Sequence, residues 1–317
     1  MVVWNAPSLQ AMVAVQTERK ERSFLDPKVV ARLSALPLAA RRSMLGNVSG
    51  RHTSPHRGAS VEFAEYRKYV PGDDLRRLDW RVYGRSDRFY VKEFDADTNL
   101  RMVLVVDTSG SMNFGSVGMT KLEYARRVAA TLSYLAVQQG DAVGLACVAD
   151  RIVHNIPPKR NPAHLTTLFD TLQKVSPQGV TQLAKILHEL AETVRQRALI
   201  IVLSDLFIDP VILRDCFEHL RFRKHDVSVF HLLDPEELNF SFQRPTRFLD
   251  MEGGTAIFAE PVEIADRYHA ALRSYLDELR KIVLETAVDY RRVSIDRSYD
   301  AELADFLVDR ARGRKMR

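Results

Sequence analysis

The sequence predicts an α/β protein: a mostly parallel sheet with one antiparallel edge strand, helices on both faces, and a small N-terminal extension. Three observations carry this. Residues 102–106 and 199–203 are short, continuous apolar runs rich in Val, Ile and Leu, the pattern of strands covered on both faces. Stretches with apolar residues at helical spacing lie between such runs, and this alternation builds a sheet with helices on both sides. Only Ala149 and the link Asp150-Arg151 separate strand-like residues 142–148 from 152–156. That link is too short for a crossover, so the pair forms an antiparallel hairpin.

Along the chain, residues 1–22 show no clear periodicity. Asp26 as cap and Pro27 at the first position start a short helix over 27–36. Residues 41–57 form a polar, basic loop. His52 and His56 are four apart, but no helix brings them to one face. Residues 61–69 begin with strand-like alternation. Pro71-Gly72 marks a turn, Asp73 or Asp74 caps a short segment over 75–80, and 89–94 is again a strand. Trp80 is expected to anchor this segment in the core of the α/β domain. Glu62, Glu65, Asp73, Asp74 and Asp79 are matched by Arg67, Arg76, Arg77, Arg81 and Arg85, so pairing and capping account for them better than a second cation site does.

A helix over 121–139 follows, with Leu122, Ala125, Val128, Ala129, Leu132 and Leu135 near helical spacing. Gly140-Asp141 ends it and the hairpin begins. Helices over 162–174 and 181–196 come next; Leu183, Ile186, Leu187, Leu190 and Val194 line one face of the second. After the strand at 199–203 the pattern gives a helix over 211–222 and a strand over 226–233. Beyond it, Asp234-Pro235-Glu236-Glu237-Leu238 opens a tail. A short hairpin (248–250 with 256–258) surrounds Gly253-Gly254, then a long helix spans 261–290, a strand 293–295 and a closing helix 300–310. The basic end, 312–317, is expected to fray. Two units result: a basic, partly irregular segment over 1–98, and an α/β domain with its tail over 99–317.

Composition narrows the function. Hydrophobic residues make up 46% of the 317, enough for a sizeable core. The net charge of +5 lies in residues 1–98, which hold 17 Lys/Arg against 12 Asp/Glu; residues 99–317 hold 29 of each. So small an excess, interleaved with acids and without a binding motif, argues against specific nucleic-acid recognition. Cys147 and Cys216 are expected to be small buried apolar residues. No signal pattern and no membrane-length apolar run is evident, which predicts a cytoplasmic protein. No Gly-x-x-x-x-Gly-Lys-Ser/Thr loop occurs, so nucleotide hydrolysis is not expected.

The chemistry sits after the first buried strand. Asp107-Thr108-Ser109-Gly110-Ser111 places a carboxylate and two hydroxyls at its carboxyl end, where open α/β sheets bind ligands. Such oxygens suit a hard cation such as Mg²⁺. Alone, Asp-x-Ser-x-Ser also describes a turn that caps a helix. Two later features add weight: Thr181 in a loop before a helix, and Asp205 closing the strand at 199–203. Asp-x-Ser-x-Ser, then Thr, then Asp resembles the metal-ion-dependent adhesion site of von Willebrand factor A-like domains. By that resemblance Ser109 and Ser111 bind Mg²⁺, or another divalent cation, directly. Asp107 and Asp205 bind directly or through water, and Thr181 changes between the two modes. Val180 and Leu206 stand where that pattern often has Gly, which is expected to crowd the mouth.

A denser signature lies upstream. Glu62-Phe63, Tyr66-Arg67, Tyr69-x-Pro71-Gly72-Asp73-Asp74 and Arg76-Arg77-Leu78-Asp79-Trp80 resemble the bacterial domain-of-unknown-function family 58, in which this segment precedes a von Willebrand A-like domain. The resemblance implies a non-enzymatic adaptor that works with a MoxR-type AAA+ ATPase in maturing or remodelling other proteins, with an acidic residue of a partner completing the ion. The alternative is a Mg²⁺-dependent phosphoester hydrolase. Phosphatases of that architecture usually carry a second carboxylate two residues after the first, where this chain has Ser109.

Overall fold

The computed structural model describes residues 24–38, 61–70, 78–96 and 100–315. In chain order these form α1 (Pro27–Leu33), β1 (Val61–Lys68), α2 (Trp80–Ser86), β2 (Tyr90–Ala96) and β3 (Arg101–Asp107). Next come α3 (Lys121–Gln138), β4 (Ala142–Val148), β5 (Ile152–Lys159), α4 (Pro162–Lys174), α5 (Leu183–Thr193), β6 (Leu199–Ser204), α6 (Pro210–Phe222) and β7 (Asp226–Leu233). The tail adds α7 (Pro235–Asn239), β8 (Thr246–Phe248), β9 (Ile257–Ala259), α8 (Pro261–Thr286), β10 (Asp289–Ser294) and α9 (Tyr299–Lys315).

Six strands make the main sheet, in the order β10-β7-β6-β3-β4-β5. Every pair is parallel except β4–β5, the antiparallel edge hairpin. The chain leaves β3 for β4 on one side and later returns to β6 on the other. The strand order therefore reverses between β3 and β6, and their carboxyl ends flank the crevice.

Period-two alternation divides the core. Met102, Leu104, Val106, Leu199, Ile201 and Leu203 face the cluster under α1, α3, α4 and α9. Val103, Val105, Ile200 and Val202 face the cluster under α5, α6 and α8. A strand sends successive side chains to opposite faces, so continuous apolar runs were required here. Local signals fix the helix starts. Asp26, Asn161 and Asp209 cap helices whose next residue is Pro, and Thr120 and Glu123 form a capping box on α3. Among the described residues no helix is long and apolar enough to cross a membrane. Both cysteines are buried and free.

Several expectations need correction. Trp80 is 62% exposed. It opens α2 and meets the Tyr83 ring edge-on, 6.2 Å between centroids, and no residue of α2 is buried. The core contact of the N-terminal region comes instead from Phe24, Leu33 and Leu38, with Phe24 edge-on to Phe169 on α4. Asp79 does cap α2, accepting from the Arg81 and Val82 N–H groups. His52, His56, the turn at Pro71-Gly72, Asp73, Asp74, Arg76 and Arg77, and the side chains of Glu62, Glu65 and Arg67, lie outside the described residues. The long tail helix stops at Thr286, not 290, and β10 begins at Asp289 rather than 293. Its stop is Ala287 in the left-handed region, φ 51°, a position with no Gly to mark it in the sequence. The closing helix runs to Lys315.

One buried group gives this fold a pH dependence. His225, between α6 and β7, is 7% exposed and accepts from the Ala198 N–H. Burial first, then Arg223, Arg197 and His219, push it down to about 4. It is neutral in the folded chain and protonates near 6.5 when unfolded. Stability is therefore expected to fall as pH drops from about 6.5 towards 4, by up to about 1.4 kcal/mol per pH unit from this group. Urea midpoints across that range should fall more steeply for the native chain than for His225→Gln; equal slopes would contradict the assignment.

Candidate metal centre

Asp107 is the last residue of β3, and Asp205 directly follows β6. Adjacent pairing of these two strands brings both carboxylates to one crevice. Both are 1% exposed. Asp107 Oδ1 accepts from the Ser109 N–H at 3.0 Å, and its Oδ2 accepts from the Ser204 hydroxyl at 2.6 Å. That hydroxyl in turn accepts from the Leu206 N–H at 3.0 Å, so Ser204 ties the two strand ends together. After β3 the chain makes a 3-10 turn over Gly110–Asn113. Ser109 Oγ and Ser111 Oγ come within 3.2 Å of each other. The turn is pinned from below by Thr108, whose N–H and hydroxyl both donate to Val148 O at the end of β4.

Thr181 arrives on the loop between α4 and α5. Two backbone bonds dock that loop on the turn: Gln178 N–H to Thr108 O at 2.8 Å and Gly110 N–H to Gly179 O at 2.9 Å. Thr181 Oγ1 accepts from the Leu183 N–H at 3.4 Å. The five expected ligand residues thus lie on three adjoining segments. Asp107, Ser109 and Ser111 share the turn after β3, Asp205 stands at the end of neighbouring β6, and the threonine loop docks on the turn. Val180 is exposed. Leu206 takes φ 53°, the left-handed conformation in which glycine is at ease. A non-glycine residue there costs on the order of 1–3 kcal/mol.

The sequence reading missed four participants. Lys121, expected only as the first residue of a helix, is 0% exposed. Its ammonium bonds Asp205 Oδ2 and Glu237 Oε1, each at 2.7 Å. It also lies over the Phe207 ring, 5.1 Å from the centroid. Glu237 comes from α7, where its other oxygen accepts from the Asp234 N–H in a capping box. The Asp234 carboxylate in turn takes the Ser116 N–H and hydroxyl, so the tail is strapped onto the loop after the turn. The other two are Ser204 and Glu252, whose Oε2 accepts from the Thr181 N–H at 3.1 Å. The one usable signal was Ser204, a hydroxyl beside the strand-end acid.

The electrostatics follow from burial. Burial, with the Asp205 charge next, raises the Asp107 carboxyl to about 6, against the pull of the hydrogen bonds from Ser204 and Ser109. Burial likewise lifts Glu237 despite the ammonium beside it. Burial alone would lower Lys121, yet Asp205 and Glu237 carry it above its ordinary value. All three hold their protons more tightly than in water, as expected of a pocket with more acids than cations.

Among the described residues, no three His, Cys, Asp or Glu side chains form a metal cage. The fit to a cation rests on oxygens of another kind. Asp205 Oδ1 is buried without a hydrogen-bond partner among the described residues, and a bare buried carboxylate oxygen is costly. With two serine hydroxyls and Asp107 nearby, that donor set suits a hard divalent ion that keeps some of its water.

Strand order, antiparallel edge and strand-end acids define a von Willebrand A-like α/β domain. A family model described as "Protein of unknown function DUF58" matches residues 65–275, and the chain belongs to that family. It is 27% identical over 294 residues to the uncharacterized protein Rv1480 of Mycobacterium tuberculosis, covering 91% of this chain and 92% of that one. The uncharacterized protein Mb1516 of Mycobacterium bovis matches to the same extent. Among solved structures, the conserved hypothetical protein BatB from Bacteroides thetaiotaomicron is similar, with 19% identity, a TM-score of 0.45 and coverage of 68% of this chain and 100% of that one. The SpRpn10 VWA domain covers 65% of this chain and 94% of its own, with 13% identity and a TM-score of 0.39.

Proposed function

We propose that this protein is a non-enzymatic, Mg²⁺-dependent interaction module, an adaptor for a MoxR-type AAA+ ATPase in the maturation or remodelling of other proteins. Asp107, Ser109, Ser111, Thr181 and Asp205 would hold the ion. The observation that carries the reading is the unpartnered buried Asp205 Oδ1 beside an Asp107 raised to about 6. A divalent ion would supply positive charge to which a carboxylate can bind.

Adhesion is favoured over hydrolysis because the nearby lysine and histidine are already committed. Lys121 is held by two acids. His231, fully buried and pushed down to about 4 by that burial, bonds Tyr290. A general base needs reach and a pKa near the working pH, and neither group offers both. The ATPase partnership is what membership of this family suggests, and the test is direct. With Mg²⁺ and no added nucleotide, the native chain should capture a MoxR-type ATPase, and chelator should abolish capture. Asp107→Ala should capture none under either condition while keeping its far-UV dichroism. Equal capture by the variant, with and without chelator, would contradict the proposal. Phosphoester turnover lost in Asp107→Ala would favour the hydrolase instead.

A further inference from the structure

The dense signature of the N-terminal region forms a surface that the proposed function leaves unused. Trp80, Arg81, Arg85, Arg88 and Phe89 are all exposed, Trp80 to 62% and Phe89 to 44%. The rings form one run. Trp80 meets Tyr83 edge-on at 6.2 Å, and Tyr83 stacks on Phe89 at 4.4 Å. Tyr69 adds a fourth ring, 6.1 Å from Phe89. Arg81 and Arg85 lie one turn apart on α2 and share a face beside Trp80. No guanidinium of Arg81, Arg85 or Arg88 has an acid partner among the described residues. Asp79 is engaged as the cap of α2, and Asp87 is the one exposed acid in residues 78–91.

Gly84 lies between the two rows. One turn of helix carries Trp80 to Gly84, with Tyr83 on one flank and Arg81 and Arg85 on the other. Gly84 does not take a positive φ, and a Cβ there would meet nothing within 4 Å. Neither a left-handed turn nor close packing within the fold calls for glycine, although glycine weakens a helix relative to alanine. It leaves a bare strip of backbone between aromatic and cationic side chains, where another chain can approach closely. Trp, Tyr and Arg are also the residue types that dominate the hot spots of protein interfaces.

We propose that this face docks an acidic segment of a partner protein. An apolar side chain of that segment lies over Gly84 against Trp80, and its carboxylates meet Arg81, Arg85 and Arg88. The unpaired guanidiniums set the charge of the partner, and the exposed rings set the need for an apolar anchor. The surface works without the cation, so the inference goes beyond the function proposed above. A single-stranded nucleic acid fits less well. Successive bases need open ring faces, and here Tyr83 and Phe89 are stacked on each other, 12° between planes.

The test uses the full chain and a fluorescein-labelled, glutamate-rich peptide with one central phenylalanine. The peptide should bind at about 50 mM salt and weaken as added salt screens the charges. Tryptophan emission should shift to the blue on binding, and that shift should be lost in Trp80→Phe. Trp80→Ala, and Arg81→Glu combined with Arg85→Glu, should each weaken binding roughly 10-fold or more. Gly84→Gln should weaken it too without lowering the melting temperature, since its side chain enters open space. Equal binding by the native chain and these variants would overturn the inference. So would equal binding of the glutamine counterpart of the peptide, tighter binding of a thymidine oligonucleotide of the same length, or no binding of the peptide at all. None of these outcomes bears on the cation site.

Discussion

Arg310→Met is expected to remove about 3–5 kcal/mol of stability, because it strips the counter-charge from buried Asp289 and from Asp226, whose side chain is 10% exposed. Arg310 lies on α9 and is 0% exposed. Its guanidinium bonds Asp226 Oδ2 at 2.6 Å, Ser228 Oγ at 2.8 Å and Asp289 Oδ2 at 3.3 Å. Asp226 and Asp289 open β7 and β10, so one side chain fastens the last helix to the starts of two adjacent parallel strands. Its planar fork suits several acceptors at once, and Phe306 lies beneath it, 5.4 Å from ring centroid to guanidinium. Methionine fills similar volume but leaves the acids facing one another. Urea denaturation measures the loss. Adding Asp226→Asn and Asp289→Asn should restore much of it, since the penalty comes from uncompensated charge. A change under about 1 kcal/mol, the scale of an exposed pair, would contradict the assignment.

Lys121→Met is the second large effect, and it joins stability to the ion. The ammonium is fully enclosed and bonds Asp205 and Glu237. Without it, Asp107, Asp205 and Glu237 would face one crevice with no fixed cation. In chelator the variant should lose about 3–5 kcal/mol, as when one partner of a buried pair is removed. Mg²⁺ should then restore part of the loss: about 2.7 kcal/mol at a concentration one hundred times Kd. The freed Asp205 makes the site more negative, so the Mg²⁺-dependent rise in melting temperature should exceed that of the native chain. Equal melting of both proteins, with and without Mg²⁺, would rule out Lys121 as the site's counter-ion.

The sheet was legible because its signals are local. Buried parallel strands must be apolar on both faces, so 102–106 and 199–203 declared themselves, and a three-residue link forced the β4–β5 hairpin. The place of Asp107, Ser109, Ser111 and Asp205 at one end of the sheet was legible for the same reason, since adjacent strands end there. Lys121 and Glu237 were not. A lysine after a capping residue reads as a solvated helix start, because lysine is almost never buried unless paired. Its partners lie 84 and 116 residues further on, and no window of sequence brings them together. Glu237 lay in a stretch that only opened the tail, and Glu252 in the turn of a short hairpin. Their contacts with Lys121 and the Thr181 N–H depend on the tail folding back over the sheet. Trp80 erred in the other direction: an aromatic near apolar neighbours suggested an anchor, but α2 buries nothing and Phe24 does that work.

The account is tested most directly by calorimetric titration of the native chain with Mg²⁺ at neutral pH. One ion per chain, absent in Asp107→Ala and displaced by chelator, is the predicted result. A native chain that gives no heat with Mg²⁺, and no shift in melting temperature at saturating Mg²⁺, would contradict it.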